Sequence, residues 1–103
     1  MIEIETIDNK EYTFLLKAAN GNTLLRSIPF NSKESMLLAI EKLHSSNPSF
    51  PIFERKTSHT GKFHIYLKDE NNTLIGKSEP YSSEAGMENG LKNIKNSILA
   101  IKL

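Results

Sequence analysis

Leu16-Lys17-Ala18-Ala19-Asn20-Gly21-Asn22-Thr23-Leu24-Leu25-Arg26-Ser27-Ile28-Pro29-Phe30-Asn31-Ser32 is answered 51 positions later by Leu67-Lys68-Asp69-Glu70-Asn71-Asn72-Thr73-Leu74-Ile75-Gly76-Lys77-Ser78-Glu79-Pro80-Tyr81-Ser82-Ser83. Without a gap, leucine-lysine, asparagine, serine, proline and serine recur in register, and Met36 then falls on Met87. Conservative pairs fill the spaces: Tyr12 with Phe63, Phe14 with Ile65, Leu24 with Ile75, Arg26 with Lys77, Phe30 with Tyr81, Ile40 with Leu91 and Leu43 with Ile94. A repeat of this kind decides the fold, because each copy is one structural unit and the two must complete a common core.

Each copy parses by local rules. Tyr12, Phe14 and Leu16 alternate with Thr13, Leu15 and Lys17, the period of a strand with one buried face. Asn20-Gly21 predicts a type I′ hairpin turn with both residues at positive φ. A second strand over 23–28 returns antiparallel and stops at Pro29, which has no N–H for a ladder. Asn31 and Ser32 then offer side-chain oxygens to a helix start, and Met36, Ala39, Ile40 and Leu43 share one helical face. The second copy repeats this with Phe63, Ile65 and Leu67 inward, Asn71-Asn72 at the turn, Pro80 at the corner, Ser82 or Ser83 as cap, and Met87, Leu91 and Ile94 on the helix. Gly90 stands where Ala39 stood, so a small residue in both copies predicts close approach of helix to sheet at that turn. An extra strand is expected before each hairpin, over 1–6 and 51–56, with Ile2 aligned to Phe53. Residues 45–51, with Asn47-Pro48 and Pro51, connect the copies.

The chain has 103 residues, room for one domain rather than two independent cores. Within it, 1–46 is the first repeat and 47–103 the second. Thirteen Lys and Arg against 12 Asp and Glu leave a charge of +1, which gives no long-range field toward nucleic acid or anionic lipid. There is no cysteine, which removes disulfides and thiolate chemistry and fits a reducing compartment. The opening Met1-Ile2-Glu3-Ile4-Glu5 alternates and is acidic, unlike a secretory signal, and no apolar run reaches the roughly 20 residues of a membrane span. The expected location is the cytoplasm, with no membrane partner.

Gly61-Lys62-Phe63-His64-Ile65-Tyr66-Leu67-Lys68, the Tyr81-Ser82-Ser83 corner and Met87-Glu88-Asn89-Gly90-Leu91-Lys92-Asn93-Ile94-Lys95 resemble the repeat of the YegP-like proteins, small bacterial domains of unknown function. The first copy departs further, with Phe30-Asn31-Ser32 at the corner and Leu38-Ala39-Ile40 in the helix. The resemblance covers nearly the whole chain. It implies an α+β fold of two tandem β-β-β-α repeats forming one antiparallel sheet, with two helices on one face and a pseudo-twofold axis. It implies no reaction and carries over no catalytic residues.

Outward-facing sheet positions are the leading candidate site: Thr13, Leu15 and Lys17 from one copy, His64, Tyr66 and Lys68 from the other, with Leu25 as neighbour. Leu15 and Tyr66 are equivalent and are expected near one another across the axis. Apolar residues among lysines on an open sheet suit a protein partner or a second copy of the chain. The alternative is an anion or small molecule at the helix N-termini, at Ser82 and Ser83. His44, His59 and His64 lack the convergent ligands of a metal centre, and no nucleophile-base-acid or paired-carboxylate pattern stands out. No cofactor is expected. Tyr66 alone offers a stacking ring on the sheet, which argues against nucleic acid. The sequence therefore points to a non-enzymatic interaction module.

Overall fold

Phe14, Leu16, Ile65 and Leu67 have no measurable exposure, and burying them is what draws the two repeats together. The computed structural model describes residues 2–8, 10–44 and 52–101. Its elements run β1 (Ile2–Ile7), β2 (Glu11–Lys17), β3 (Thr23–Ser27), α1 (Lys33–His44), β4 (Ile52–Thr57), β5 (Phe63–Lys68), β6 (Leu74–Ser78) and α2 (Glu84–Leu99). The strands form one sheet in the order β1-β2-β3-β6-β5-β4, antiparallel throughout. The chain is thus an α+β domain of two β-β-β-α units. The expected connection over 45–51 lies outside the described residues.

The halves meet where β3 pairs β6, with Leu25 opposite Ser78, Arg26 opposite Lys77 and Ser27 opposite Gly76. Arg26 and Lys77 are themselves repeat equivalents, so the pseudo-twofold axis passes between them. Equivalent residues close to such an axis compete for one space. A Cβ on Gly76 would lie 2.7 Å from Leu25 Cδ2 and 2.9 Å from the Arg26 carbonyl oxygen. One leucine therefore fills the room of two, and its counterpart is reduced to glycine.

Leu25 was expected as a neighbour on the outer face, and the structure places it in the core at 0% exposure. Leu25 pairs Leu16, a core residue, and so shares its inward face; beyond that pair lies a β-bulge. Leu16 pairs Leu25 but Lys17 pairs Thr23, so Leu24 is an extra residue and both leucines join the core; the same shift recurs between Leu67 and Lys68. The hairpin turns differ from expectation too. Gly21 and Asn72 have positive φ while Asn20 and Asn71 do not. Each N–H instead closes a four-residue turn, Gly21 onto Ala18 O at 2.9 Å and Asn72 onto Asp69 O at 2.9 Å. That is a type I turn followed by one left-handed residue, which needs a single positive φ rather than the two of type I′.

The serines before the prolines patch the sheet. Ser27 Oγ accepts from the Phe14 N–H at 2.9 Å and donates to the Ile28 carbonyl at 2.8 Å. Ser78 Oγ does the same with the Ile65 N–H at 2.8 Å and the Glu79 carbonyl at 2.9 Å. Where the ladder opens near Pro29 and Pro80, a hydroxyl satisfies a buried N–H that would otherwise be orphaned. The chain then re-pairs once, Phe30 with Tyr12 and Tyr81 with Phe63.

Both helices cover the same sheet face. Met36, Ile40 and Leu43 of α1 and Met87, Leu91, Ile94 and Ile98 of α2 join one core cluster with strand residues of both repeats. α2 rests on β2, β3 and β5, and its Ser97 Oγ donates to the Lys17 carbonyl oxygen at 3.2 Å, so the second repeat's helix is tied to the first repeat's strand. Gly90 does admit a close neighbour, but it is the ring of Tyr81: a Cβ there would sit 2.2 Å from Tyr81 Oη. In the first repeat the equivalent pair is Ala39 and Phe30, where the ring carries no hydroxyl and the helix keeps its methyl group.

Candidate functional site

Because the helices take one face, alternate strand residues line the other, and the ladder registers set one of each strand in a single row. The row reads Glu3, Leu15, Arg26, Lys77, Tyr66, Glu54 across β1, β2, β3, β6, β5 and β4. It is palindromic in character, with glutamates at the ends and two cations at the centre.

Leu15 does not offer the exposed apolar contact expected of it. It is 2% exposed, and neighbouring Thr13 is 1% exposed. Arg26 reaches across β2 to bind Glu5 at 2.7 Å, and Lys17 binds Glu3 at 3.0 Å, so aliphatic stems of long side chains roof over both residues. Nor does Leu15 meet Tyr66. Strands β3 and β6 lie between them, three strand spacings or roughly 14 Å.

The other predicted residues do lie on this face. Lys68 pairs with Glu54 at 2.7 Å, the repeat equivalent of the Lys17–Glu3 pair. Lys56 joins the same carboxylate, and hydrogen bonds from Lys56 and then Lys68 hold Glu54 down at about 2 against its ordinary 4.5. Glu54 reciprocally raises the Lys56 ammonium. Tyr66 is half-buried and carries the Lys77 ammonium over its ring, 5.5 Å from the centroid. His64 is half-buried opposite Lys56, and its Nδ1 is buried without a hydrogen-bond partner. Thr13, its repeat equivalent, has an Oγ1 in the same condition.

Arg26 and Lys77 were not among the residues the sequence singled out. They face one another at the centre of the row, both exposed, above a depression of about 380 Å³ lined also by Ile28, Pro29 and Glu79. The signal was available: the two positions are repeat equivalents of like charge at an outward register.

The alternative residues stand at the start of α2. Ser83 Oγ accepts from the Gly86 N–H at 3.0 Å as the helix cap, and Ser82 is exposed beside it. His59 is exposed in the β4–β5 turn, and among the described residues no group of three or more His, Cys, Asp or Glu is placed to hold a metal ion. Among the described residues no helix is long and apolar enough to cross a membrane.

The repeats also differ on the helix side. Arg55 of β4 forms a two-bond ion pair with Glu88 of α2. The equivalent positions in the first repeat are Ile4 and Leu37, which are 44% and 41% exposed. An ion pair in one half is replaced by two exposed aliphatic side chains in the other.

Comparison with known proteins agrees with this architecture. A family described as "Domain of unknown function (DUF1508)" matches residues 8–54 and again 58–99. UPF0339 protein YegP of Escherichia coli is 34% identical over 93 residues, covering 90% of this chain and 84% of its own. A UPF0339 protein of Pseudomonas aeruginosa is 36% identical over 87 residues, covering 84% and 79%. The solution NMR structure of E. coli YegP, titled a protein of unknown function, superposes with a TM-score of 0.85 at 32% identity, over 96% of this chain and 85% of that one. A UPF0339 protein of Shewanella oneidensis superposes at 0.83 with 29% identity, over 96% and 85%. The chain, with two copies of the domain in one sheet, belongs to the DUF1508 (UPF0339, YegP-like) family, whose function is unknown.

Proposed function

We propose that this domain is a non-enzymatic interaction module that engages a protein partner through the open face of its sheet. The observation that carries this reading is the row of alternate residues that no helix covers, with Arg26, Lys77 and Tyr66 at its centre and Lys17, Lys68 and His64 beside it. A non-catalytic role is supported by how the face uses its charge. The oxygens of Glu54 are engaged by Lys56 and Lys68, which hold its carboxyl well below the usual carboxylate range. Apolar burial at Leu15 shifts the contact surface toward cations and the tyrosine ring, so the partner that suits it is polar rather than greasy. An anion at Ser82 and Ser83 would have to share the start of α2 with the serine cap, which is why the sheet face is preferred. The cysteine-free sequence fits a reducing compartment, and we assign the protein to the cytoplasm on that ground.

The test is affinity capture with the parent and with a variant carrying Tyr66→Glu and Lys68→Glu. A protein held by the parent and released by the folded variant supports the face. Equal retention by both refutes it.

A further inference from the structure

We propose that Arg26 and Lys77 form an anion-binding centre on the pseudo-twofold axis that seats the carboxylates of a short acidic segment of a partner protein. The inference rests on the open-face reading and names the chemistry of what lies there. Arg26 and Lys77 are direct cross-strand partners in the middle of a six-stranded sheet. Like charges so placed destabilise a sheet; Arg26 is held by Glu5 and its stem covers Leu15, but the core on the opposite face calls for no second cation beside it at Lys77. Local conflict of this kind marks positions kept for binding.

Neither cation is fully used. Arg26 engages Glu5 through Nη1, leaving further donors of its five-donor fork, and Lys77 leans on the Tyr66 ring, which orients the ammonium without neutralising it. The depression between them, about 380 Å³, is large enough for one or two carboxylates. Glu79 also lines the depression, so a ligand carboxylate must meet the two cations clear of that side chain.

The surroundings choose among anions. Glu3 and Glu54 end the row, about 12 Å either side of the axis at ordinary strand spacing. Any polyanion laid across the strands would bring charge over both glutamates, whereas one running along β3 and β6 avoids them. With a net charge of +1 the chain has no field to hold a continuous row of phosphates, so a short acidic peptide segment suits the central pair better than a polynucleotide.

The probe is a fluorescent octapeptide of glutamate, titrated into the full chain at physiological salt with amide shifts followed by NMR, beside a single-stranded oligonucleotide and inorganic phosphate. Shifts centred on Arg26 and Lys77, with affinity falling at least tenfold in Lys77→Glu, are expected. Lys77→Glu faces Arg26 with an opposite charge, so the variant should also melt several degrees higher, which separates lost binding from lost folding. Shifts confined to Lys17 or Lys68, unchanged affinity in Lys77→Glu, or tighter binding of the oligonucleotide would overturn the centre while leaving the sheet face in use. Shifts on the helices, or none anywhere, would overturn the centre and count against the face as well.

Discussion

Replacing Gly90 by alanine tests how the two repeats diverged. The new methyl group would lie 2.2 Å from Tyr81 Oη, 2.3 Å from Cζ and 2.7 Å from Cε1. Comfortable contacts between such atoms are about 3.5 to 4.0 Å, so the ring must withdraw by an ångström or more. Helix propensity alone favours alanine over glycine by about 1 kcal/mol. Overpacking opposes it with about 1 to 3 kcal/mol, and the crowding is against the outer end of a ring that is only half-buried, so a net loss of about 1 kcal/mol is expected. Tyr81→Phe removes the hydroxyl and recreates the first repeat's combination of Phe30 with Ala39. Phenylalanine keeps Cζ at 2.3 Å and Cε1 at 2.7 Å, so the ring must still move, but with no hydroxyl to displace Gly90→Ala should cost less in that background, a coupling of about 1 kcal/mol between the sites. Urea unfolding of the parent, both single variants and the double variant, followed by circular dichroism, measures it. Single effects that simply add, to within about 0.5 kcal/mol, would show that Tyr81 does not hold Gly90 small.

Ser27→Ala and Ser78→Ala should each cost about 1 to 3 kcal/mol by leaving the Phe14 or Ile65 N–H buried and unpaired, and hydrogen exchange should quicken at that amide first; unchanged stability would mean another group fills the gap. Glu54 is depressed to about 2 when folded and titrates near 4.5 when unfolded, so its contribution is complete above about 4.5 and drains away as pH falls toward 2. Urea midpoints at pH 5 and pH 2.5 should therefore converge partly in Glu54→Gln, and an identical acid response in parent and variant would contradict the pairing with Lys56 and Lys68. Ile4→Arg with Leu37→Glu transplants the Arg55–Glu88 pair into the first repeat; stability should stay within about 0.5 kcal/mol while retention on a hydrophobic column falls, and a loss above about 2 kcal/mol would place the two side chains in the core instead.

The architecture was legible because its determinants are local. Alternation at Tyr12, Phe14 and Leu16, the helical spacing of Met87, Leu91 and Ile94, and proline at both corners are each read within a few residues. The repeat then required the copies to share an interior. Asn20-Gly21 was misread because a glycine at positive φ suits either a type I′ turn or a type I turn with a left-handed residue after it, and the bulge that selects the latter belongs to the strand pairing. Ser27 and Ser78 stand out in the sequence only as a repeated serine, whereas their hydroxyls stitch a ladder whose partner strand is 13 residues away.

The sequence by itself determined which residues alternate, which faces are apolar and that two like units complete one core, since periods of two and 3.6 are properties of the backbone. Tertiary structure alone decided what the open face presents. The pairing of β3 with β6 set Arg26 beside Lys77, and long charged side chains reaching across strands sealed Leu15 beneath them. Those neighbours stand far apart along the chain, so only the packing of the repeats about their common axis could bring them together.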